Sequence, residues 1–204
     1  MRQWLSDTLD HILVWLRLRK PKPAADVEDL RELYLTTALQ YYIAARYAAF
    51  AGFIPVCGVL FHHAIEMYLK GRLCLKLDEF QLRILGHQLK RVWKKFKEEM
   101  SDGTLDKFDR VISELDRHER IRYPETIARG GMIGLIQFKP ATTSGVRGVA
   151  TGPQPQFTIA VDDLDALAKT ILDKSGVNPR FFTAGLNDDA TSFLTRDNRS
   201  IQLV

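Results

Sequence analysis

Apolar positions recur along this chain at helical spacing for most of its first 120 residues and then switch to the period of a strand. Within residues 2–19, Trp4, Leu5, Leu9, Ile12, Leu13 and Leu16 form one stripe. Arg17, Arg19, Lys20 and Lys22 follow, and Pro21 and Pro23 end that helix. Asp26 suits the N-cap of a second helix running to about Ala51, with Glu28 and Asp29 in the first turn, where the helix dipole favours acids. The face expected to pack carries Leu30, Leu33, Tyr34, Thr37, Tyr41, Ala44, Ala45 and Ala48. Gly52 interrupts it, and Pro55 sits in the first turn of a third helix expected to reach Leu77. The stretch Gly86–Met100 is the cleanest amphipathic element: Leu89, Val92, Trp93 and Phe96 point inward, and Lys90, Arg91, Lys94, Lys95 and Lys97 point outward. After the Ser101-Asp102-Gly103 stop, Thr104–Arg122 reads as another helix with Leu105, Phe108, Ile112 and Leu115 inside, ended by Tyr123-Pro124.

Residues 132–139 and 156–161 are rich in β-branched and aromatic side chains and read as two strands. They are expected to form a β-hairpin, about 132–161, around a Gly/Pro/Thr-rich loop at 140–155. Asp162 is expected to cap the last helix, which ends at Gly176. Residues 177–204 carry no sustained periodicity. The pattern therefore predicts an N-terminal amphipathic helix with a basic Pro linker (1–25), a mainly α domain with a β-hairpin insertion (26–176) and an irregular C-terminal tail (177–204).

Composition adds limits. The chain has 204 residues, 46% hydrophobic and 26% charged, which excludes wholesale disorder. Its net charge of +4 permits an anionic partner without demanding nucleic acid. Two cysteines, Cys57 and Cys74, cannot build a disulfide framework or a four-cysteine metal site. Asp7 and Asp10 interrupt the first apolar run, and no small-residue cleavage site follows, so a signal peptide is not expected. Tyr41–Phe61 has the length of a membrane span, with Arg46 its only charge. Gly52 and Pro55 divide it, and it is read as parts of two core helices of a cytoplasmic protein.

The chemistry-bearing residues concentrate on the third helix. His62, Glu66 and Lys70 lie at i, i+4 and i+8 on one stripe, with His63 beside them. Imidazoles, a carboxylate and an amine within two turns suit proton transfer or phosphate binding. The alternative is structural: an unpaired charge in so apolar a setting is costly, so Glu66 would pair with Arg46 from the preceding helix. A His62–Glu66 metal pair lacks a third ligand and the H-E-x-x-H pattern, so no metal is expected. The basic face at 90–97 could track phosphates. Arg120, Arg122 and Tyr123 form a second basic spot with an aromatic for stacking. No Ser/His/Asp or Cys/His arrangement can be read.

Three motifs in order, HHAIEMYLKGRL at 62–73, GHQLKRVW at 86–93 and Arg122-Tyr123-Pro124, resemble the HEPN group of nucleotide-binding helical domains. The resemblance spans roughly residues 26–124, with the helix at 162–176 as the closing element. It implies an up-and-down helical bundle, commonly homodimeric, that binds a nucleotide, RNA or a protein partner such as a nucleotidyltransferase or antitoxin, in a defence or toxin–antitoxin setting. Catalytic members carry an Arg followed after four to six residues by a His. None of His11, His62, His63, His87 or His118 has an Arg at that offset. The expectation is therefore a non-catalytic HEPN-like binding protein without a cofactor. The alternative is a divergent HEPN RNase drawing on His62, His63 or His87. Arg46, Glu66, Lys70, Arg120, Arg122 and Tyr123 stand as ligand-binding candidates.

Overall fold

The computed structural model describes residues 26–121, 125, 134–138, 157–178 and 183–200, with backbone only at 119–121, 134, 135 and 157. The expected N-terminal helix, the 140–155 loop, Arg122 and Tyr123 lie outside the described residues.

Helix α1 (Val27–Phe50) opens on Asp26, whose carboxylate accepts from the Glu28 N–H, as the sequence predicts. A short turn through Gly52 (φ +75°) reverses the chain into α2 (Ile54–Leu73), with Pro55 in its first turn. The two helices pack antiparallel along their length, closely enough that a Cβ on Gly71 would meet Leu35 at 3.1 Å.

Twelve of the twenty residues of α2 are buried, including His62, Glu66 and Lys70. A helix covered on every side belongs at the centre, and α2 packs against α1 and also against α4 (Leu89–Met100), α5 (Asp109–Ile121) and α6 (Val161–Lys174). Between α2 and α4 lies a short α3 (Glu79–Leu85), and a 3-10 turn at Gly103–Phe108 leads into α5. The inward residues expected over 86–122 are buried: Leu89, Val92, Trp93 and Phe96 on α4, Ile112 and Leu115 on α5, and Leu105 and Phe108 on the 3-10 turn, which replaces the first turn of the helix expected from Thr104. The architecture is mainly α with a small β insertion.

Several expectations change. The face of α1 is rotated: Leu35, Ala38, Leu39, Tyr42, Ala45, Arg46 and Ala48 are buried, while Leu33 is 63% exposed. The expected face, which carries no charged residue, leaves out Arg46, yet Arg46 lies on the core face. Helix α2 ends at Leu73 rather than Leu77, and α3 follows, unpredicted.

The two strands exist, β1 (Gly134–Gln137) and β2 (Phe157–Ala160), but they pair in parallel with Gly134 opposite Phe157, so they are not a hairpin. Their connection, residues 138–156, has the length that a parallel crossover requires. Helix α6 starts at Val161 with Ala160 as N-cap; Asp162 lies in its first turn instead of capping it. The tail is not wholly irregular. Asn187 caps α7 (Asp188–Thr195), which packs on α1. No helix among the described residues is long and apolar enough to cross a membrane.

Candidate functional site

The stripe His62–Glu66–Lys70 runs along the buried side of α2 and grips the junction between α3 and α4. Lys70 Nζ donates to Glu66 Oε1 at 2.6 Å and to the Gly86 carbonyl at 2.9 Å. His62 Nε2 lies 3.1 Å from the His87 carbonyl oxygen; since a carbonyl only accepts, His62 donates there through its Nε2–H tautomer. His87 in turn places Nδ1 at 3.0 and 3.3 Å from the two Glu66 oxygens. Three side chains of one helix thus fix both backbone carbonyls and the side chain of Gly86-His87. Gly86 takes φ +62° there with nothing within 4 Å of a notional Cβ, so the backbone conformation, not space, calls for glycine.

Exposure separates the members. Glu66 is fully buried and the Lys70 side chain is 8% exposed, whereas His87 is 75% exposed and His63 27%. The His63 ring stands 6.5 Å from the His87 ring, nearly perpendicular, and 5.5 Å from the half-exposed Tyr41 ring. His63 Nδ1 is 4.0 Å from Glu66 Oε2. The result is a shallow mouth of two imidazoles and a phenol over a buried carboxylate. An Nδ1–H held by a carboxylate fixes the tautomer and leaves Nε2 as an acceptor on the exposed side of the ring. That arrangement orients an imidazole for accepting or donating a proton. Lys70 and His87 both donate to Glu66, so neither oxygen of this buried carboxylate lacks a partner.

The expected Arg46–Glu66 pair does not form. Arg46 is 0% exposed and pairs with Asp165 of α6 at 2.5 Å. Its Nε donates to the Phe193 carbonyl at 2.8 Å, and its Nη2 donates to the Arg196 carbonyl, at the C-terminal end of α7. The guanidinium also lies 5.7 Å from the Phe50 and Phe138 ring centroids, which stack on each other. Tyr42 donates its hydroxyl to Asp165. Burial and the Asp165 charge push that phenol well above its usual range, so it remains a donor. Arg46 is therefore enclosed by protein and leaves the set of ligand-binding candidates. Its partner was missed although a signal existed: Asp165 shares the apolar stripe of Val161, Leu164, Ala168 and Leu172.

Of the remaining candidates, His62, His63, Glu66, Lys70 and His87 come together. Arg120 lies on the last turn of α5, its side chain outside the described set, and Arg122 and Tyr123 fall outside it altogether. Tyr41 was not singled out for the site. Cys57 and Cys74 are free and buried, and burial pushes the Cys57 thiol up to about 12, far from a reactive thiolate. Among the described residues, no group of three His, Cys, Asp or Glu side chains is placed to hold a metal ion. No family model, curated protein or solved structure matches the chain.

Proposed function

We propose that this chain is a HEPN-like helical protein that binds a phosphate-bearing ligand, a nucleotide or RNA, at the mouth formed by His63 and His87. The observation that carries the reading is Glu66 holding His87 Nδ1 from below while the ring faces solvent. Lys70 offsets the Glu66 charge, so a phosphate approaching the imidazoles meets no net opposing charge beneath them. Isothermal titration with UMP and AMP tests it. Saturable binding lost in His87→Ala and weakened in Glu66→Gln supports the reading; no binding of either nucleotide to the wild-type chain overturns it.

A second reading, cleavage of RNA, is favoured by the same hydrogen bond. With His87 Nε2 as acceptor, the base could remove the proton of a ribose 2′-hydroxyl, whose oxygen attacks the adjacent phosphorus. The departing 5′-oxygen would take its proton from a protonated His63, leaving a cyclic phosphate and a free 5′-hydroxyl. A purified protein that leaves RNA intact and does not slow cell growth on induction retires this reading and a toxin role, without touching the binding one. A homodimer belongs to the proposal as well, supported by the exposed apolar side chains Leu33, Phe80 and Ile84. A monomeric mass by light scattering would dismiss it.

A further inference from the structure

The outward face of α4 begins three residues beyond His87, and its cations are not equivalent. Lys95 Nζ lies 3.4 Å from Glu98, and Lys97 donates to Asp106 and Asp109 at 2.7 and 2.8 Å. Lys90, Arg91 and Lys94 are exposed, and among the described residues none of them has an acid within ion-pair distance. Lys90 and Lys94 stand one turn apart, about 6 Å along the helix. With Lys97, Asp109 and Ser113 they line a groove between α4 and α5 with a volume of about 280 Å³, whose apolar floor is Trp93 and Ile112. The floor is set by α5, where Asp109 accepts from Trp93 Nε1 at 2.7 Å and also receives Lys97. The fold thus spends its acids on the far end of the row and leaves the end nearest His87 uncompensated.

We infer that Lys90 and Lys94 form a track for the sugar–phosphate backbone of single-stranded nucleic acid, leading one phosphate to the His63–His87 mouth. This deepens the reading of that mouth as a phosphate site and rests on it for the end point of the track. A single file of cations one helical turn apart matches one strand, whereas a duplex presents two backbones across a groove. Backbone contacts of this kind carry affinity without sequence preference, and each phosphate neutralised on a single strand contributes a slope of about −0.7 in log K against log salt.

The test is fluorescence anisotropy of a short labelled oligouridylate across a salt series, with UMP titrated in parallel. In Lys90→Glu/Lys94→Glu, oligonucleotide affinity is expected to fall about tenfold or more and the salt slope to flatten by about 1.4, two phosphates' worth, while UMP binding stays unchanged. Both side chains are exposed, and a melting curve matching the wild type verifies that the variant folds. Unchanged oligonucleotide affinity and slope overturn the track, whatever UMP does. An equal loss for UMP also overturns it, because the lysines would then act on the mouth itself. Equal binding of poly-glutamate, lost in the same variant, would show an acidic-peptide surface instead and overturn it too. If UMP fails to bind the wild type while the double variant still releases the oligonucleotide, the track stands and the mouth reading falls.

Discussion

His118 lies on α5 with 1% exposure, pressed onto the backbone of α2 at Gly58, where a Cβ would come within 2.5 Å of His118 Nδ1. Only glycine leaves room for an imidazole at that crossing. Burial lowers the His118 pKa from 6.5 to about 4. The unfolded chain takes up the proton as pH falls through about 6.5, and the folded chain resists until about 4. The contribution of neutral His118 is therefore complete above pH 6.5 and is lost as the pH drops from there towards 4, to about 3 kcal/mol in all. Urea unfolding of the wild type and His118→Gln between pH 7 and pH 4 reads it: the difference in slope should follow that window, and parallel curves would refute it. At this scale the sequence was legible for residue type and poor for pairing. It placed His62, Glu66 and Lys70 on one stripe correctly, but it pairs Arg46 with Glu66, the carboxylate on the neighbouring apolar helix. Its true partner, Asp165, lies 119 positions downstream, and only the packing of α6 on the bundle brings the two together.

Helix α3 has seven residues and a single buried one, Leu82, so its own packing contributes little and its ends matter more than usual. The start is held by a reciprocal cap: Asp78 Oδ1 accepts from Gln81 N at 2.7 Å, and Gln81 Oε1 accepts from Asp78 N at 3.0 Å. Its end is Gly86, the first residue of the junction that presents His87. Replacing Asp78 by Ala is expected to cost about 1 kcal/mol globally and to loosen the site locally. Amide exchange should accelerate over 79–86 while α1 and α2 keep their protection; uniform acceleration across the chain, or none, would contradict this. The Asp-x-x-Gln cap is visible in the sequence, as is Asn187 ahead of two aspartates for α7. Both helices escaped because each buries one residue in its whole length, and periodicity cannot be counted on one residue. Strand direction escaped for a different reason. Alternation fixes which faces are apolar, and a long intervening segment is compatible with either a loop or a crossover.

The bundle closes around Arg46. Its guanidinium joins α1 to α6 through Asp165, to the C-terminal end of α7 through the Phe193 and Arg196 carbonyls, and to Phe138, beside β1, through the ring face. Contacts around it reinforce the same union: Tyr47 packs edge-on against Phe193, and Arg196 lies over the Phe50 ring. The last described helix is therefore held to the first by a buried charge, not by a broad apolar face, since only Leu194 of α7 is buried. Such a pair contributes little net stability compared with an apolar replacement, but breaking one side strands the other in the core at a cost of about 3–5 kcal/mol. Against a usual total of about 5–15 kcal/mol, Arg46→Met should lose a large part of the stability and release α7. Limited proteolysis should then cut within 183–200 before it cuts α1. The double variant Arg46→Met/Asp165→Leu removes the stranded carboxylate and should recover much of the global loss. It should not restore protection of α7, whose two carbonyls still lack their donor. A double variant as unstable as the single one would mean that the stranded Asp165 charge is not what the single substitution costs. Protection of α7 in either variant would mean that the tail is held by its aromatic contacts alone.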